Sequence, residues 1–242
     1  MSPINTGDPI DLPWRDNPLS GTIMDDCVSS SEAFRHFIRD QDFPCVGAKS
    51  ALARKGMRIL VAGDLRNGEH DARILDALQD KRIKPALNGM IAIAILFPAT
   101  PALSESIFET HLWDRLQALH DADRQYFAWD PNVAKDPRSV NFGMSIGGSA
   151  FFVVGLHPGA SRIARRAPMA VLAFNPHEQF RHLRRDGEYE RLRHVVRQRD
   201  IAIQGHTNPM LTDHGAASEA AQYSGRAVFA NWACPFLARS DA

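Results

Sequence analysis

The chain has 242 residues, 44% of them hydrophobic and 23% charged, which is enough apolar material for one sizeable core. Its 28 basic residues balance its 28 acidic ones, so no overall field draws it to nucleic acid or to an anionic membrane. Three cysteines, Cys27, Cys45 and Cys234, form no CxxC pair, and Met1 to Pro13 has neither a basic n-region nor an apolar h-region. The expectation is free thiols and a cytoplasmic location.

Residues 1–28 read as an extended arm, because Pro3, Pro9, Pro13 and Pro18 interrupt any regular element. A single domain then runs over residues 29–242. Ser29 and Glu32 make a capping-box pattern for a helix through Phe34, Phe37 and Ile38. Pro44 precedes a second helix through Ala48, Ala51 and Leu52. A strand is expected over Met57 to Ala62, a helix over Asp71 to Ile83, and a buried strand over Ile91 to Phe97. Apolar residues at three- and four-residue intervals predict a helix over Ser104 to Asp121. Gly147-Gly148 predicts a hairpin turn between Val140 to Ile146 and Ala150 to Leu156. A strand at Met169 to Phe174 and charged helices near His177 to Arg185 and Glu188 to Arg199 follow, before an irregular tail, Gly205 to Phe236. The hairpin demands antiparallel pairing, so the expected fold is α+β: a mixed, partly antiparallel sheet packed by helices.

Cys45 stands at the expected start of a helix, where backbone N–H groups and the helix dipole favour a thiolate, the form that ligates metal. The neighbouring Gly47 would let a flat ligand approach. The plainer alternative is a structural thiol. His157 ends an apolar strand and opens a Gly/Pro loop, as an axial ligand, an acid/base group or a surface side chain. Ser161, Arg162, Arg165 and Arg166 follow it, and at helical spacing these arginines could grip two carboxylates or a phosphate, or form a solvated face. They open a lysine-free series of arginines reaching Arg199. His177 follows Asn175-Pro176, where turn chemistry explains the residues well. Glu219 could pair with a cationic substrate and Tyr223 could donate a hydrogen bond, or both could be surface residues. A P-loop, GxGxxG and HExxH all fail to occur, leaving nucleotide hydrolysis, hydride transfer and helix-borne zinc without a motif.

Taken in order, FPCVGAKSAL, FFVVGLHPGASRIARRAP, LAFNPHEQFRHLR, VVRQRDIAIQGHTNPML and SEAAQYSGR resemble the YqcI/YcgG family over roughly Phe43 to Phe236. That resemblance implies a haem-dependent N-oxygenase of the kind that oxidises amine or guanidine nitrogens in guanitoxin, hydroxyarginine and azomycin pathways. It implies haem b as cofactor and O2 or peroxide as oxidant. Cys45 would be the metal ligand, with His157 the alternative, and Ser161, Arg162, Arg165 and Arg166 would hold the cofactor. His157, Glu219 and Tyr223 would act in catalysis. The expected partners are a small nitrogen-containing substrate, an electron donor such as a ferredoxin or flavoprotein, and a second copy of the chain, with no nucleic acid and no membrane. A haem-binding sensor or carrier without turnover is the competing class. A metal-free enzyme with Cys45 as nucleophile and His157 as base is a third.

Overall fold

The computed structural model describes residues 24–80, 89–210, 215–229 and 231–239. Five strands form one sheet in the order β1-β2-β5-β4-β3. They are β1 (Met57–Val61), β2 (Ala92–Phe97), β3 (Met144–Ile146), β4 (Ser149–Leu156) and β5 (Ala170–Pro176). Only β1 and β2 are parallel, and every later pairing is antiparallel, which gives the expected mixed α+β sheet. All six residues of β2 are buried because both faces of the sheet are covered.

One face carries α3 (Asp71–Gln79) and α4 (Glu105–Asp123), whose Leu78, Phe108, Leu112 and Leu116 pack on Ile93, Ile95, Val153 and Leu172. The other carries α1 (Met24–Arg39) and α2 (Val46–Ala53), where Phe34, Ile38 and Phe43 cover Ala94, Leu96 and Val171. A helical hairpin of α5 (His177–Arg185) and α6 (Glu188–Gln204) docks beside α2.

Several boundaries differ from expectation. Helix α1 already exists at Met24, five residues before the Ser29 capping box, so the helix takes in the end of the expected arm. Strand β3 is only three residues long. Helix α6 runs on to Gln204 and stops at Gly205, whose φ of +83° ends it in a left-handed cap. Helix α3 ends at Gln79, and residues 81–83 of its expected span lie outside the described residues. The Gly147-Gly148 turn is as expected. Both glycines have positive φ, +61° and +70°, as a two-residue hairpin loop of matching twist requires. Among the described residues, no helix is long and apolar enough to cross a membrane.

Candidate functional site

A cavity of about 530 Å³ lies between the sheet and the layer of α2, α5 and α6. Its floor is sheet, with Phe152 and Val154 of β4 and Asn175 of β5, and Ala48 and Ala51 of α2 flank it. Arg181 and Arg184 of α5 and Arg193 and Arg197 of α6 form its basic side. The volume and the largely apolar walls with a few convergent polar groups are those of a small-molecule or cofactor site. A second hollow, of about 440 Å³, shares Gly47, Met90 and Leu192 with the first, but its carboxylates, Asp186 and Glu188, are exposed.

Cys45 lines the larger cavity as the N-cap of α2, its sulfur accepting from the Ala48 N–H at 3.4 Å. Burial nevertheless pushes its thiol pKa up, outweighing the Ala48 and Gly47 amides and the nearby Arg165 guanidinium, which pull it down. The helix-terminus argument for a thiolate is thus overruled by desolvation in the free protein. A bound cation reverses that balance, because a coordinating thiol is deprotonated outright. Gly47 leaves the wall open beside the sulfur, since a Cβ there would stand 3.8 Å from it and 3.2 Å from Met90 Cε.

Glu219, at the start of a 3₁₀ turn (Glu219–Gln222), also lines the cavity. Its Oε1 accepts from Tyr223 OH at 2.5 Å and from His177 Nε2 at 3.0 Å. Tyr223 is fully buried, and its hydroxyl sits between the Met144 N–H and the Phe151 carbonyl, each 3.2 Å away, where β3 and β4 part. Desolvation and the adjacent Glu219 carboxylate raise the Tyr223 pKa well above its ordinary value, so the phenol is neutral. The His177 ring is seated against Gly143, where a Cβ would come within 2.9 Å of Cε1. Glu219 and Tyr223 are i, i+4 partners in sequence. His177 joins them from the first turn of α5, a role that the Asn-Pro turn before it concealed.

The His-Pro-Gly-Ala-Ser-Arg segment is placed elsewhere. His157 is 1% exposed and stacks on Phe108 at 4.2 Å, with the α4-side core, whereas Cys45 packs with the α1 and α2 side. It does not line the cavity. Burial lowers its pKa, and neither ring nitrogen makes a hydrogen bond of normal geometry. The arginines after it form a single 3₁₀ turn (Ile163–Arg165) rather than a helical face. Arg162 is buried and ion-paired with buried Asp200 of α6. Arg165 donates to the carbonyls of Gly155 at 2.8 Å and Gln222 at 3.1 Å, and burial brings its pKa down to about 10. Arg166 donates to the Ala160 carbonyl at 2.7 Å, and Ser161 is held by Glu105. None of these four lines the cavity, because the chain's own acceptors occupy them. The cationic groups on the cavity are instead those of α5 and α6. Among the described residues, no group of three His, Cys, Asp or Glu side chains forms a metal site of its own.

The sequence model of the YqcI/YcgG family matches residues 34–237. This chain belongs to the YqcI/YcgG family. The matched span takes in α2 with Cys45, the His157 loop, α5, α6 and the Glu219 turn, so both sides of the cavity are family structure. None of the curated proteins and none of the solved structures compared with the chain matches it.

Proposed function

We propose that this member of the YqcI/YcgG family is a haem-dependent N-oxygenase acting on an amine or guanidine nitrogen of a small natural-product precursor. One observation carries the reading: a thiol, Cys45, and a positioned carboxylate, Glu219, face one cavity with an arginine-bearing side. The residues suit haem b. Cys45 is a soft donor on the wall, Ala48, Ala51, Phe152 and Val154 offer apolar surface to a macrocycle, and Arg181 and Arg184 can pair with its propionates. When bound, the haem would supply the activation of O2 or peroxide and deliver the oxygen atom.

The chain's own residues do the rest. Cys45 ligates the iron, and His157, on the other side of the sheet core, is the weaker candidate for that role. Glu219 engages the cationic nitrogen of the substrate through Oε2, since Oε1 is committed to His177 and Tyr223. It can accept the proton that this nitrogen loses. His177 and Tyr223 fix the carboxylate, so that little reorganisation accompanies reaction. The α5–α6 hairpin covers the cavity and limits water.

The test is spectroscopic. Protein produced with a haem precursor should be pigmented, and its reduced CO complex should show the red-shifted band of thiolate ligation. Cys45→Ala should lose that band. An unchanged spectrum in Cys45→Ala, or a colourless wild type, would overturn the assignment. Pigment without N-oxygenated product from arginine or 2-aminoimidazole, given reductant and O2 or given peroxide, would favour a haem carrier.

A further inference from the structure

An unbroken run of redox-active rings leads from the cavity, past the edge of the sheet, to the opposite side of the molecule. Tyr223 reaches the cavity through its hydrogen bond to Glu219, and its ring meets Phe152 of the cavity floor edge-on at 5.7 Å. On its other side Tyr223 stacks on Trp113 of α4, with centroids 5.5 Å apart and ring planes 17° from parallel. Trp113 in turn lies 6.3 Å from Trp232, which is only partly buried. Both tryptophans belong to the α4-side core, whereas the cavity lies on the α2 side.

Tyrosine and tryptophan are the side chains that give up one electron most readily apart from thiols. A tyrosine does so easily only when a base takes its proton at the same time. Glu219 Oε1, 2.5 Å from the phenol oxygen, is that base. Trp113 is built differently. Its buried indole N–H has no hydrogen-bond partner among the described residues, so an oxidised Trp113 keeps its proton and the electron vacancy stays mobile. Ordinary core packing needs no proton acceptor at one end of such a series.

We propose that Tyr223, Trp113 and Trp232 form a conduit that carries oxidising equivalents from the cavity to the surface. In the outward direction, an oxidant in the cavity takes one electron from Tyr223, whose proton passes to Glu219. Trp113 then reduces the tyrosyl radical, which recovers its proton from Glu219, and Trp232 reduces Trp113. A solvent thiol or ascorbate finally reduces Trp232. The conduit rests on the proposed oxidative function for its purpose, which is to discharge an oxidant formed when no substrate nitrogen is in place. Its physical existence does not depend on haem.

The experiment runs the conduit backwards on the full chain without haem. A photo-excited ruthenium tris-bipyridine with a sacrificial acceptor, both in solution, oxidises surface-accessible Trp232. Transient absorption and electron paramagnetic resonance then follow the radicals. The expected result is a neutral tyrosyl radical in the wild type that disappears in Tyr223→Phe and in Trp113→Phe. Tyr126 and Tyr189, oxidised directly from solvent, give only the background common to all three proteins. Glu219→Gln, which keeps an acceptor of the hydrogen bond but is a far weaker base, should also lose the signal. Identical tyrosyl yields in the wild type and in Trp113→Phe would overturn the proposal. So would an oxidised tryptophan, absent from Trp113→Phe, that never passes its vacancy to Tyr223. If Trp113→Phe fails to fold, Trp232→Phe should abolish the same signal, and its persistence there would equally overturn the conduit. A colourless wild type would remove the haem reading while leaving these outcomes intact, so the two failures are distinguishable.

Discussion

Arg162 is the sharpest point at which a cofactor-gripping arginine can be told from a structural one. Its side chain is 7% exposed, and that of its partner Asp200 is 8% exposed. Replacing Arg162 with Ala would strand a buried carboxylate, and breaking a buried pair from one side costs about 3–5 kcal/mol. For a chain of this size that corresponds to a fall in Tm of roughly 10 °C. Asp200→Ala should cost about as much, for the mirror-image reason. The combined change Arg162→Met with Asp200→Leu should recover most of the loss, to within about 2 kcal/mol of the wild type, because no buried charge is left unpaired. Urea denaturation of the wild type, Arg162→Met, Asp200→Leu and the double variant closes the cycle, with haem uptake measured alongside. A structural pair gives a large coupling energy and a double variant that still takes up haem. The reasoning is refuted if Arg162→Ala loses less than about 1 kcal/mol yet no longer binds haem, since the guanidinium would then serve the ligand rather than Asp200.

Three further outcomes follow from particular contacts. Burial holds the Asp123 carboxyl up at about 6 despite hydrogen bonds from Gln79 and the Gly147 N–H. Its stabilising share is therefore full below the ordinary carboxyl pKa and is lost as the pH rises through about 6, by up to roughly 3 kcal/mol. The stability difference between wild type and Asp123→Asn should move in favour of the variant over that window, and a pH-independent difference would refute the shift. At the hairpin, a Cβ on Gly147 would lie 2.8 Å from Gln79 Cγ, whereas one on Gly148 meets nothing nearer than 3.6 Å. Gly148→Ala should thus cost about 1–2 kcal/mol of left-handed strain, and Gly147→Ala roughly 1–3 kcal/mol more, as read by thermal unfolding. Glu219→Gln should leave haem content and stability within about 1 kcal/mol of wild type while lowering turnover on a guanidine substrate by about 100-fold or more. Equal turnover would remove Glu219 from the reaction.

Much of the fold was legible because its signals are local. The unbroken apolar run of β2, the three- and four-residue spacing of α4 with its Ser104 cap, and the paired glycines each name their element without tertiary help. Cys45 as an N-cap was equally readable. Its raised pKa was not, because desolvation depends on what α5 and α6 lay over it. The arginines misled for a related reason. Nothing near Arg162 in sequence announces Asp200, 38 residues away, so a guanidinium bound to its own protein looks the same in the sequence as one awaiting a ligand. Glu219 and Tyr223 were each named from sequence as polar candidates, but their contact with each other and with His177, 42 residues before Glu219, could be joined only by the fold.

The outer border of β4 has a consequence of its own. Beyond its short pairing with β3, this border is finished by chain that is not strand at all. The Tyr223 carbonyl accepts from the Gly155 N–H at 2.7 Å, and Arg165 donates to the Gly155 carbonyl. Backbone groups that would otherwise invite another strand are therefore already spoken for. The irregular tail thus closes this stretch of β4, and a chain ending before Gln222 should leave these backbone groups open to a strand from elsewhere.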